Sequence, residues 1–114
     1  MKPRSAKAKG QRAAGEVRDS LLMVFDELEK DDIRVTPSGV PGPDILLSPR
    51  AQRVIGDFDI EVKNQEKLSI WAALDQVRGR SENKTPVLVF RRNKEAPNVC
   101  LNLMDFLLLL KRDL

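Results

Sequence analysis

Val17, Leu21, Val24, Phe25 and Leu28 recur at intervals of three and four, which predicts an amphipathic helix over about residues 11–30. IRVT, Ile33 to Thr36, predicts a short strand, and the Pro/Gly loop PSGVPGP then holds the chain extended up to Asp44. DILLS predicts the next strand, SPRAQ a turn, and RVIGDFDIEVK one or two strands in hairpin relation. Ser69 can cap a second helix over Ile70 to Arg78, with Ile70, Ala73, Leu74 and Val77 on its buried face and Gly79 placed to end it. PVLVFRR and NVCLNL predict two further strands, and MDFLLLLKR a terminal helix whose basic end suits its C-terminus. The order α, β, β, β, α, β, with a last strand and helix appended, predicts an α/β fold in which helices flank one mixed central sheet.

A chain of 114 residues with 41% hydrophobic content has enough apolar surface for one modest core and none for a second. The net charge is only +3, so distribution matters more than total. The first twelve residues carry Lys2, Arg4, Lys7, Lys9 and Arg12 without an acid. Residues 1–10 are therefore expected as a flexible basic arm, and 11–114 as a single domain. Such an arm suits a polyanion, and it serves equally as a solubilising tail. Its single cysteine excludes an intramolecular disulfide framework, and no apolar segment follows the basic start, so a cytoplasmic protein without membrane contact is expected. With no histidine, a Ser-His-Asp triad and a Cys/His zinc site are excluded as well. Catalysis would have to use carboxylates, lysine and a hard cation that seeks oxygen.

In GDFDIEVK the period of two puts Phe58, Ile60 and Val62 on one face and Asp57, Asp59, Glu61 and Lys63 on the other. An ordinary half-buried strand shows the same polar face. What sharpens the pattern is Asp44, which opens the apolar strand Ile45, Leu46, Leu47 directly after the Pro/Gly loop; a strand-start aspartate bonding nearby N–H groups is the plainer alternative. Asp44 and Glu61, together with the Val62 carbonyl, would supply the hard ligands that Mg²⁺ accepts while leaving positions for water and a phosphate oxygen. Lys63 returns to the face of Glu61, where it would orient the attacking water and offset phosphate charge.

Pro43-Asp44 and Glu61-Val62-Lys63, set in the order αβββαβ, resemble the PD-(D/E)XK nuclease superfamily with its restriction-endonuclease-like core, over nearly the whole chain after the arm. Within it the chain looks most like Holliday-junction resolvases of archaeal and phage type, which have a basic start, an acid in the first helix, a Ser/Gly-rich loop before the aspartate and a glutamine in the helix after E-x-K. It is similar also to virus-type replication-repair nucleases, which share G-x-P-D and E-V-K. The resemblance implies that Glu16 is a first-helix acid at the metal, Asp44 and Glu61 metal ligands, Lys63 the catalytic lysine, Gln76 a supporting residue and Ser38 the loop serine. It implies Mg²⁺, with Mn²⁺ able to substitute, and a homodimer that hydrolyses two strands of a four-way junction to leave 5′-phosphates in a bacterial, archaeal or phage-infected cell. A nuclease of the same fold acting on duplex ends, flaps or nicks, and a catalytically silent DNA-binding protein, are the alternatives.

Glu16 lies about 100° round the helix from Val17, on the border of the buried stripe. Gln76 borders the stripe of its own helix, where it either supports the site or faces solvent. Lys7, Lys9, Arg12, Arg91 and Arg92 are candidate phosphate contacts, the last two also readable as a charged loop end. Trp71 reads as a packing or interface anchor. The run Phe106 to Leu110 is apolar on too many sides for one small core and is expected to line a dimer interface.

Overall fold

The N-terminal helix α1 spans Pro3–Val24 in a computed structural model that describes residues 3–112. The helix thus begins well before the expected start near residue 11, and the described part of the expected arm, residues 3–10, is its first turns; residues 1–2 and 113–114 lie outside the described residues. Lysine and alanine are strong helix formers with no apolar periodicity to display, so helix propensity acts there without a hydrophobic signal. Ala13 and Ala14 are buried, and Val17 and Leu21 pack beside them. α1 stops at Val24, short of Lys30, and a turn brings Leu28 into the core before a 3-10 turn at Lys30–Asp32.

β1 (Ile33–Val35) and β2 (Ile45–Leu47) pair antiparallel, Ile33 opposite Leu47. The segment expected as a turn and strand is instead a short helix, α2 (Pro49–Val54). Ser48 Oγ accepts the Ala51 N–H at 3.0 Å, and Pro49 sits in the first turn. A capping serine followed by proline is a helix start that outweighs the strand preference of Val54 and Ile55. Gly56 then reverses the chain at φ 124°, and a Cβ there would stand 2.6 Å from Phe58 Cε2. Gly56→Ala is expected to cost about 1–3 kcal/mol of stability, read from urea unfolding; an unchanged midpoint would show that Phe58 can move aside freely.

β3 (Phe58–Asn64) and β4 (Thr85–Arg91) run parallel, joined by α3 (Ile70–Arg80), and β5 (Asn98–Cys100) pairs antiparallel to β4. The result is an α/β fold built on a mixed three-stranded sheet, β3-β4-β5, with the β1–β2 pair alongside. α1 packs on the face carrying Ile60, Val62, Val87 and Val89, while Ala73 and Leu74 of α3 cover Leu88 on the other. The alternation read from GDFDIEVK therefore holds, but on its polar face only Asp57 is exposed. Asp59 and Glu61 lie under the end of α3 and are only 1% and 4% exposed.

α4 (Leu103–Arg112) is held at both ends, with Asn102 Oδ1 accepting the Met104 N–H (2.8 Å) and Arg112 Nη1 donating to the Ile55 carbonyl (3.0 Å). None of the described helices is long and apolar enough to cross a membrane.

Candidate active site

Asp44 is fixed by the backbone of two neighbouring strands. Its N–H donates to the Ile60 carbonyl at 3.1 Å, and its carbonyl accepts the Thr36 N–H at 2.9 Å. The buried Thr36 hydroxyl donates to the Pro43 carbonyl, so the Pro/Gly loop is closed at its base. The Asp44 carboxylate thereby reaches β3, where Oδ2 accepts the Val62 N–H at 2.8 Å. Strand alternation places Glu61 and Lys63 together, and Lys63 Nζ lies 3.2 Å from Glu61 Oε2.

The third wall comes from the last turn of α3. Arg80 forks onto Asp59, with Nη2 2.8 Å from Oδ1 and Nε 3.1 Å from Oδ2. Ser81 Oγ stands 3.2 Å from Asp59 Oδ2 and closer to the Val77 carbonyl, so its one proton is shared between the two acceptors. Arg80 Nη1 also lies 2.7 Å from Glu61 Oε1. That contact is a close ion pair to a buried carboxylate oxygen. The two carboxylates raise the Arg80 pKa, Asp59 most strongly. Burial pushes the Asp44 carboxyl above its ordinary range, and the charge of Glu61 adds to this against the Val62 N–H, Arg80 and Lys63.

A carboxyl whose pKa is raised on folding contributes stability that is complete below its unfolded value, 3.8, and is lost as pH climbs through the folded value. Asp44→Asn keeps an oxygen for the Val62 N–H and removes the charge. The melting temperature of the variant relative to the parent is therefore expected to rise between about pH 4 and pH 7 without divalent ions. A constant difference across that range would contradict the buried, repelled carboxylate.

Other expected residues are placed differently. Glu16 is exposed on α1 and ion-paired to Arg91 at the end of β4, so the first-helix acid is engaged away from the carboxylates and is not among their ligands here. Gln76 is exposed, and the side chain that α3 sends inward is Arg80, one turn later. Ser38 is exposed on the loop, whose bracing falls to Thr36. Arg91 is taken up by Glu16, and Arg92 pairs with Glu95 at the surface. Lys7 lines a small cavity of about 120 Å³ together with Gln11, Thr36, Asp44 and Val62, while Lys9 and Arg12 lie further along α1. Asp57 is exposed, and Trp71 is 73% exposed rather than packed in the core.

Arg80 was not singled out from the sequence, although Ala73, Val77 and Arg80 follow one stripe at spacings of four and three. Among the described residues no group of three or more His, Cys, Asp or Glu side chains is arranged to hold a metal ion. The donor set is two carboxylates, Asp44 and Glu61, with main-chain oxygen nearby. It fits a hard cation that keeps several waters, and the Asp44 carboxylate, with one hydrogen bond from the Val62 N–H and no ion pair among the described residues, is the observation that favours the fit. No family model, curated protein or solved structure matches the chain.

Proposed function

We propose that the chain is a Mg²⁺-dependent, structure-selective DNA endonuclease with a restriction-endonuclease-like core, resolving four-way junctions in the cytoplasm. The observation that carries this reading is the placement of Asp44, from the β1–β2 pair, on the Val62 N–H of β3, between Glu61 and Lys63 in the chain, with its carboxylate free of any ion pair among the described residues. The crossover through α3 to a parallel β4 supports the fold part of the reading.

Asp44, Glu61 and the Val62 carbonyl would hold the cation, which when bound polarises a phosphoryl oxygen and acidifies water. Lys63 orients the attacking water and offsets negative charge on the phosphate. Water oxygen adds to phosphorus, the bond to O3′ breaks, and O3′ leaves as a hydroxyl after taking up a proton, with the phosphate on the 5′ side. Lys7, at the Asp44 cavity, with Lys9 and Arg12 on α1, contacts backbone phosphates.

Cutting two strands symmetrically needs two sites, and so a second copy. α1, the sheet and α4 enclose an open apolar groove of about 1030 Å³, lined among others by Val17, Leu21, Ile60, Val89, Phe106 and Leu109. Six α4 side chains, Leu103, Met104, Phe106, Leu107, Leu108 and Leu110, are 43–67% exposed. At roughly 200 Å² for a large apolar side chain, they present about 650 Å². Val24 and Val99 on the groove rim bring this near the ~800 Å² per partner of a stable interface. Leu107→Glu with Leu108→Glu is expected to give a folded monomer by light scattering; a folded dimer would move the interface elsewhere.

One observation favours a silent DNA-binding role instead: both Glu61 oxygens already stand beside a cation of the chain. Incubation with Mg²⁺ and labelled four-way, flapped, nicked and linear DNA separates the readings. Preferential cutting of the four-way junction is expected; cutting of flaps, nicks or ends in its place would keep the enzyme and change the substrate. Tight binding without metal-dependent cutting of any would establish the silent role.

A further inference from the structure

We propose that Arg80 is a built-in cation occupying one of the cation positions around the carboxylates, so that the site takes a single divalent ion per chain; this rests on the nuclease reading above. Asp59 and Glu61 are ion-paired to Lys63 and Arg80, and Asp44, bonded to the Val62 N–H, lies within the field of Glu61, Arg80 and Lys63. Leaving aside Lys7, which is exposed at the Asp44 cavity, three negative and two positive charges leave a surplus of one negative charge. One divalent ion turns that surplus into one positive charge, which a single phosphodiester group neutralises. Two divalent ions would leave three positive charges in a cluster where Asp59 and Glu61 are almost fully buried, an arrangement that low local dielectric strongly disfavours.

The geometry assigns the built-in charge to Arg80. Its guanidinium is locked by the fork onto Asp59, and Ser81 fixes Asp59 from behind. Arg80 Nη1 at 2.7 Å from Glu61 Oε1 sits where a second cation bound to that oxygen would compete. Lys63 stands at the other Glu61 oxygen. Asp44, by contrast, has one hydrogen bond from Val62 and no ion pair among the described residues, so it is the carboxylate free to take the external ion. Arg80 thus acts as a positioning residue, holding Glu61 and limiting the number of ions.

Titration with Mn²⁺ in the absence of DNA, followed by calorimetry and by the spin-resonance signal of free Mn²⁺, tests this directly. The parent protein is expected to bind one ion per chain. Two equivalent ions would overturn the role of Arg80 and leave the nuclease reading standing, whereas no binding would overturn both. Asp59→Asn with Arg80→Met removes the fork, leaves Glu61 to Lys63 alone and is expected to add a second, weaker binding event. Arg80→Lys is expected to keep one. Absence of the second event in the folded double variant would also count against the assignment, and if that variant does not fold, the stoichiometry of the parent decides.

Discussion

Arg80→Ala is expected to cost about 3 kcal/mol of folding stability, the lower end of the range for stranding a buried charge, because Asp59 is left with Ser81 alone. The Asp59 side chain is only 2% exposed, against 24% for Arg80, so the carboxylate has little water to replace the fork. Exposed pairs such as Arg18–Asp19 and Arg92–Glu95 are worth about 0–1 kcal/mol by comparison. Asp59→Asn with Arg80→Met should recover part of the loss, since a neutral pair of similar volume removes the Asp59 and Arg80 charges while Glu61 keeps Lys63. Urea unfolding of the two single variants and the double variant measures the coupling. A loss under about 1 kcal/mol for Arg80→Ala would mean that Asp59 reaches water or another donor.

Glu61→Gln and Lys63→Ala are each expected to lower the single-turnover rate of DNA cutting by about 10³-fold, the scale for removing a group that acts on developing charge. Affinity for the same DNA should change little, because the phosphate contacts assigned to Lys7, Lys9 and Arg12 lie on α1. Glu61→Gln keeps the shape of the side chain beside Arg80 and Lys63, so melting curves distinguish lost chemistry from lost fold. Full cutting by both folded variants would leave the enzyme in place and remove these residues from its site.

Glu61 and Lys63 were legible in the sequence because strand alternation is a local rule, and two residues in one strand return to one face whatever packs above them. Asp44 was legible through the Pro/Gly loop before it, whose closure by Thr36 the structure supplies. The cover over that face was not. Asp59 and Arg80 are 21 positions apart, and their pairing depends on how α3 crosses β3, which no local period encodes. Glu16 shows the reverse case, since its place on the border of the α1 stripe was legible but its partner, Arg91, 75 positions on, was not. The early start of α1 was missed because lysine and alanine favour a helix without writing an apolar stripe. α2 was missed because Val54 and Ile55 read as strand residues, while Ser48 and Pro49 carried the deciding signal. Trp71 was read as a packing or interface anchor, and at the start of α3 its ring stays outside the core of the chain.

Metal-dependent cutting is measured by incubating the full chain with a synthetic four-way DNA junction, labelled on each strand in turn, in Mg²⁺ and in EDTA. Paired cuts in opposite strands, bearing 5′-phosphates, are expected in Mg²⁺ alone. An intact junction in both Mg²⁺ and Mn²⁺, with the protein folded and bound to it, would contradict a metal-dependent site at Asp44, Glu61 and Lys63.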